Sequence, residues 1–340
     1  MTKKERVIRA LNHKETDTVP YNISFTAQEY EIVNAYAGNK NYAESVGNHI
    51  HACWYEKPRE EISGRPGYFK DEFGAIWNCT GADKNIGIIE EPLIPDLESR
   101  DYTLPPIDEI QCRESFQDQV SAAADKFIIG SIGFSMFERA WTLCGIENTL
   151  MSMLACPEEL ENLLDDICER NLRILDIMLE YDLDGIYFGD DWGQQKGMIM
   201  GPAHWRRFIK PRMKRMYEKA KGAGKFVSQH SCGDILEIFP DLIEIGLDCY
   251  QTFQPEIYDI MKVKREYGAD LAFWGGISTQ RVLSQGTPEE VTRETARTMS
   301  IMKKDGGYIA APTHDVPHDV PPENVAAMVE VFQNQDKYLK

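Results

Sequence analysis

Two hydrophobic rhythms alternate along this chain. One is a short β-branched run bounded by Gly, Pro or Asp, the signature of a buried strand. The other places apolar residues every third or fourth position, the stripe of an amphipathic helix. Residues 3–11 read as such a helix, which Asp17-Thr-Val-Pro20 breaks before a first strand, Tyr21-Asn-Ile-Ser-Phe25. Ala27 to Tyr36 reads as helix. Asn48 to Tyr55 alternates like a strand, placing His49 and His51 on one face. A buried-strand run, Phe127-Ile-Ile-Gly-Ser-Ile-Gly133, leads into a long helical region ending near Leu154. Pro157 then opens a helix whose stripe runs from Leu160 through Leu163, Leu164, Ile167, Ile174 and Leu175 to Met178.

Five more strand runs follow, each with a helix behind it. They are Asp184–Asp191, Lys225–Cys232, Leu247–Thr252, Leu271–Ile277 and Gly307–Thr313. The helices run over residues 202–221, 234–245, 257–267 and 288–304, and Pro321-Pro-Glu323 opens the last one. Thr287 and Glu290 fit a capping box. Strands alternating with helices predict a parallel sheet. With the two early strands the count reaches eight, so the expectation is a single (β/α)8 TIM barrel over residues 1–340. An open doubly wound sheet is the alternative, but no GxGxxG follows any strand. From about 64 to 94 the texture changes: Gly67–Gly74, Ala75–Thr80 and Ile86–Ile89 look like short strands joined by Gly and Asp turns. This predicts an N-terminal β-hairpin insertion, serving as a lid, a partner-docking surface or a structural flap.

Composition narrows the function classes. The 340 residues carry a formal charge of −18, which argues against nucleic acid as a partner, since phosphate binding needs clustered Lys and Arg. No apolar run approaches membrane-spanning length, so no membrane role is expected. The charged N-terminus leads into an amphipathic helix rather than a leader, which implies the cytoplasm. The 8 cysteines show neither CxxC pairs nor disulfide spacing and are expected to be mostly free core thiols. The oligomeric state stays open, a homodimer included.

In a barrel, the residues just after each strand converge on one mouth. Within Lys225-Phe-Val-Ser-Gln-His-Ser-Cys-Gly233, His230 and Cys232 lie two apart and project together. An imidazole and a thiolate are preferred zinc ligands. His314, after the last strand, would make a third ligand and leave the open position of a catalytic metal site. Asp190 and Asp191 are candidate catalytic carboxylates: a ligand, an orienting partner or a general acid. Helix capping is the bland alternative for them. Met136, Phe137, Trp192, Gln251, Phe253 and Trp274 are candidates to wall a flat, apolar substrate, although aromatic residues are as often plain core.

Several motifs together resemble the uroporphyrinogen decarboxylase superfamily, whose fold is a (β/α)8 barrel. They are Val7-Ile-Arg-Ala-Leu11 with Asp17-Thr-Val-Pro20, Phe208-Ile-Lys-Pro-Arg-Met213, Lys225–Gly233, Gly275-Gly-Ile-Ser278, and Gly306-Gly-Tyr308 leading to Pro321-Pro-Glu-Asn324. The decarboxylases of that superfamily carry an arginine-bearing motif after the first strand, where this chain reads Tyr21-Asn-Ile-Ser-Phe-Thr26. Its other branch comprises zinc-dependent methyltransferases that work with a corrinoid carried by a partner protein. The thiol-methylating members have His-x-Cys plus a second cysteine near the last strand. Here His230 and Cys232 match, and Ala311-Pro-Thr-His314 stands where that cysteine is expected. Gly185–Gly193 and Asp71–Trp77 look more like bacterial first methyltransferases of O-demethylase systems.

The resemblance therefore implies zinc, a corrinoid protein as partner, and methyl transfer from a small methoxylated substrate, an aryl methyl ether, to the corrinoid cobalt. One thiolate and two imidazoles would leave zinc with a net positive charge, which suits a Lewis acid acting on an ether oxygen. The alternatives are methyl transfer from a methylcorrinoid to a thiol, and a uroporphyrinogen-type decarboxylase.

Overall fold

A computed structural model describes residues 1–55, 57–81 and 87–339. Seven parallel strands form one sheet in sequence order: β1 Ile50–Trp54, β2 Phe127–Ile132, β3 Gly185–Gly189, β4 Phe226–His230, β5 Cys249–Phe253, β6 Ala272–Ile277 and β7 Tyr308–Pro312. Helices between the strands cover the outside. The expected barrel is thus present, but its eighth stave is not a regular strand. Tyr21–Phe25 joins β7 and the segment beyond it through isolated parallel bridges, Tyr21 to Ala310 of β7 and Phe25 to Val316 after it. Toward β1 the backbone bond from His49 to Tyr21 O is the first contact (3.0 Å). The Asn48 side chain then takes the place of a neighbouring strand, its Oδ1 accepting from Ile23 N and its Nδ2 donating to Ile23 O.

Local chemistry sets the helix boundaries. The capping box of Thr287 and Glu290 is formed, as is a second one at Thr2 and Glu5. The 22-residue helix Pro157–Met178 buries the apolar stripe read from the sequence. The long helix expected up to Leu154 is instead two, Phe137–Cys144 and Ile146–Ala155, because Gly145 at φ 81° turns the chain where other residues rarely go. The helix expected over 234–245 shrinks to a 3-10 turn, Leu236–Ile238, and a short helix, Phe239–Glu244. Helix Glu109–Ser121, capped by Asp108, was not foreseen.

The insertion is a four-stranded antiparallel sheet of Glu60–Glu61, Tyr68–Lys70, Ile76–Asn78 and Ile88–Ile89, so it begins slightly before residue 64. Ile86, expected in its last strand, lies outside the described residues. Among the described residues no helix is long and apolar enough to cross a membrane.

Helix Ala27–Ala37 fully buries Glu29, and neither carboxylate oxygen has a hydrogen-bond partner among the described residues. Burial, reinforced by nearby Asp319, pushes this carboxyl from its ordinary 4.5 up to about 8. The folded chain therefore holds a proton that the unfolded chain releases, and stability falls as pH rises between those two values. Glu29→Gln is expected to exceed the parent in stability above pH 8 by more than about 1 kcal/mol. The gap should close below pH 4.5, and urea unfolding at both pH values checks the sign.

Candidate active site

Strand register assembles the site. His230 at the end of β4 pairs with Gly189 of β3 on one side and Gln251 of β5 on the other, and Gln251 pairs with Trp274 of β6. Beyond His230 the chain passes Cys232 and turns at Gly233, φ 78°. Here the glycine is required by contact as well as by angle. A Cβ on Gly233 would lie 2.2 Å from the backbone of Gly193, and one on Gly193 would lie 2.6 Å from Gly233. The two loops therefore press backbone to backbone, and Asp191 comes to rest beside Cys232.

The ligand atoms of Asp191, His230 and Cys232 lie within 4.8 Å of one another. His230 Nδ1 faces Gln251 Oε1, which also accepts from the Tyr187 hydroxyl at 3.0 Å. An acceptor there fixes Nδ1 as the protonated nitrogen and turns Nε2 toward Asp191 Oδ1 (3.2 Å) and Cys232 Sγ (3.5 Å). Asp191 Oδ1 in turn accepts from Cys232 N at 2.7 Å. An imidazole nitrogen, a thiol and a carboxylate oxygen aimed at one point fit a metal ion.

Burial alone would lower the His230 pKa, but Tyr187, Cys232 and Asp191 outweigh it and hold the ring well above its ordinary value. Asp191 shows the converse: burial pushes its carboxyl up, yet His230 and the Cys232 N–H bring it below the usual range. A metal must displace the Nε2 proton, so metal affinity is expected to strengthen as pH rises and weaken as it falls. Calorimetric titrations in buffers of different ionisation enthalpy should show proton release on loading. Loading with no proton release and no pH dependence would contradict this arrangement.

Two chambers meet at this cluster. The central one, about 540 Å³, is the barrel mouth itself. It is walled by Trp54, Phe134, Tyr187 and Trp274, with Glu138, Asp191, His230 and Gln251 pointing inward. The outer one, about 840 Å³, opens between the loop at Phe25–Gln28, the Gly193–Gln195 turn and the Pro317–His318 segment, and reaches Cys232. His314 and Asp315 line both chambers. His314 is exposed, and its ring centre stands 6.3 Å from that of His230, outside the 4.8 Å cluster in which Asp191 is the third member.

The two aspartates separate in role. Asp190 is fully buried and faces away from both chambers. Its carboxylate accepts from the backbone N–H groups of Met136 (3.2 Å), Phe137 (2.9 Å) and Glu138 (2.8 Å), and from the Trp192 indole. Burial pushes its pKa up to about 6, against the pull of those donors. It anchors the start of helix Phe137–Cys144 and so positions Glu138.

Of the expected substrate walls, Gln251 and Trp274 line the central chamber, whereas Met136, Phe137, Trp192 and Phe253 are packed in the core. Phe253 would face the same way as Gln251 in a regular strand, but the pairing register shifts between them. Phe253 therefore stacks on Tyr258 and Phe273. Trp192 is held by Asp190 and packs edge-on to Trp205. Trp54, Tyr187 and Glu138 line the central chamber and had not been foreseen. Tyr187 lies on the inner face of β3, and its position two residues before Gly189 was the available signal. Glu138 lines the central chamber, and burial together with Asp191 and Asp190 pushes its carboxyl up to about 8.

Comparison with known proteins places the chain in context. The uroporphyrinogen decarboxylase (URO-D) family model matches residues 112–335. A Methanosarcina mazei protein named methylated-thiol–coenzyme M methyltransferase is 22% identical over 193 residues, covering 57% of this chain. That match spans only about half (49%) of the curated relative. A solved methyltransferase from Methanosarcina mazei superposes over 99% of both chains with a TM-score of 0.73 at 19% identity, which establishes a shared fold over the full length.

Proposed function

This chain belongs to the uroporphyrinogen decarboxylase family, and from that premise we propose that it is a zinc-dependent methyltransferase. In this reading it moves a methyl group from an aryl methyl ether to the cobalt of a corrinoid carried by a partner protein. The observation that carries the proposal is the Asp191, His230 and Cys232 cluster standing where two chambers meet. Such a partition suits a reaction in which donor and acceptor approach from different sides. In this reading the central chamber takes the flat ring and the outer one faces the corrinoid protein.

His230, Cys232 and Asp191 would hold the zinc, with Gln251 and Tyr187 fixing the imidazole tautomer. The ion would polarise the ether oxygen and ease departure of the phenolate, less strongly with this formally neutral set than with the +1 set of one thiolate and two imidazoles. The chain's own residues do the rest. Trp54, Phe134, Tyr187 and Trp274 hold the ring and keep water out. Glu138, whose carboxyl burial pushes above the usual carboxylate range, faces the chamber where a proton for the departing phenolate would be supplied.

Among the described residues no Lys or Arg lines the central chamber, while the carboxylates of Asp191 and Asp315 do. A polycarboxylate such as a porphyrinogen would meet like charge there, which speaks against decarboxylation of that substrate. The name of the curated relative supports a second direction, methyl transfer from a methylcorrinoid to a thiol. One assay separates the two. Cob(I)alamin consumed together with an aryl methyl ether, releasing one phenol per cobalt, supports the proposal. Methylcobalamin demethylated by a thiol, with no reaction of the ether, would overturn it.

A further inference from the structure

The central chamber combines aromatic walls with a one-sided charge. Trp54, Phe134, Tyr187 and Trp274 wall it, and among the described residues no Lys or Arg does. Trp54 and Trp274 both stand edge-on to Tyr187, with ring centres 6.0 and 5.9 Å away and planes meeting at 73° and 62°. These three rings form the corners of a box rather than a flat stack. Ring faces arranged in this way attract a cation that comes within about 6 Å of a ring centre.

Asp315 is the singular group in this box. Of the acids lining it, Asp191 faces His230 at 3.2 Å and belongs to the metal cluster. Glu138 is pushed up to about 8 by burial and by Asp191 and Asp190. Asp315 has neither relief. Among the described residues it forms no ion pair, and its one hydrogen bond comes from the Ser24 hydroxyl. Burial raises the Tyr187 hydroxyl above its ordinary range, and the Asp315 charge adds to that rise, so this carboxylate is felt inside the box. Ser24 lies on the irregular stave between β7 and β1, which sets it across the mouth from His230 on β4. With Cys232 and Asp191 balancing a divalent ion, Asp315 leaves the chamber one negative charge at its far side. One positive charge on a ligand would balance it.

We propose that Asp315 is a specificity-determining residue that, together with the aromatic box, selects a positively charged methyl donor. The substrate class is then an aryl methyl ether bearing one ammonium group. Its methoxyl group lies at the His230–Cys232 end, its ring among Trp54, Tyr187 and Trp274, and its ammonium group against Asp315 and Ser24. The charge of the whole chain, −18, works in the same direction, drawing cations toward the mouth and repelling anions. This assignment rests on the methyl-ether reading above.

Equilibrium binding tests it without requiring catalysis, in about 0.15 M salt, where exposed charges farther than about 8 Å are largely screened. Quenching of tryptophan fluorescence would be measured with 4-methoxybenzylamine, a cation at neutral pH, and with its neutral isostere 4-methoxybenzyl alcohol. The metal-loaded parent chain is expected to bind the amine at least about fivefold more tightly. Asp315→Asn should abolish the preference with metal content unchanged, and Asp315→Glu should keep part of it. The side chain is exposed, so neither substitution opens a cavity and both variants are expected to fold. Equal binding of amine and alcohol by the parent overturns the assignment. So does a preference that survives Asp315→Asn, as an amine bound directly to the metal would show. Methyl transfer separates the two claims. Preference for the amine, lost in Asp315→Asn, with no demethylation of either compound keeps the selector and removes the methyl-ether reading. Equal binding with demethylation of both keeps the reading and removes the selector.

Discussion

His230→Ala and Cys232→Ala proteins are expected to lose bound metal and at least about a thousandfold in methyl-transfer rate, with the barrel intact. Both residues sit at the open end of β4 rather than in the core, so truncation removes ligands without leaving a large cavity. Cys232 also stands apart from the other thiols. Burial pushes Cys53 up to about 11 and Cys112 and Cys144 up to about 12, making them inert packing groups. Cys232 is only half-buried and lies beside an imidazole. Metal content, circular dichroism and rate, measured on the same preparations, decide the matter. Full metal and full rate in either variant would remove the proposed site.

The second large effect concerns which residue completes the metal set. Asp191→Asn keeps the shape but removes a negative oxygen from the cluster, and it is expected to weaken metal binding by about 10- to 100-fold. His314→Ala is expected to retain the metal. It should lower turnover instead, because this exposed ring stands where the two chambers join. The opposite outcome, metal lost with His314 and kept with Asn at 191, would make His314 the third ligand. The formal charge at the ion differs between the two sets. With Cys232 and Asp191 it is neutral, and with Cys232 and two imidazoles it is +1. Competition against a chelator measures both affinities.

These contrasts also mark how far the residues themselves could be read. The alternation of strand and helix runs exposed the barrel, and His-x-Cys at a strand end exposed two members of the cluster. The eighth stave was harder, because Tyr21–Phe25 takes part of its pairing from the side chain of Asn48 rather than from backbone. Asp190 and Asp191 are neighbours in sequence, yet one anchors a helix and the other joins the site. That difference arises from where the Met136–Glu138 N–H groups arrive, fifty residues upstream. Phe253 was assigned by strand parity, which a register shift cancels.

The most direct test of the account is the optical spectrum of the cobalt(II)-loaded protein before and after addition of an aryl methyl ether. One equivalent of metal should give a thiolate-to-metal charge-transfer band that disappears in Cys232→Ser. Its ligand-field bands should shift when the ether is added, reporting an oxygen brought to the ion. A spectrum without the thiolate band, or one unchanged by every methyl ether supplied, would contradict the proposed metal site and its role in methyl transfer.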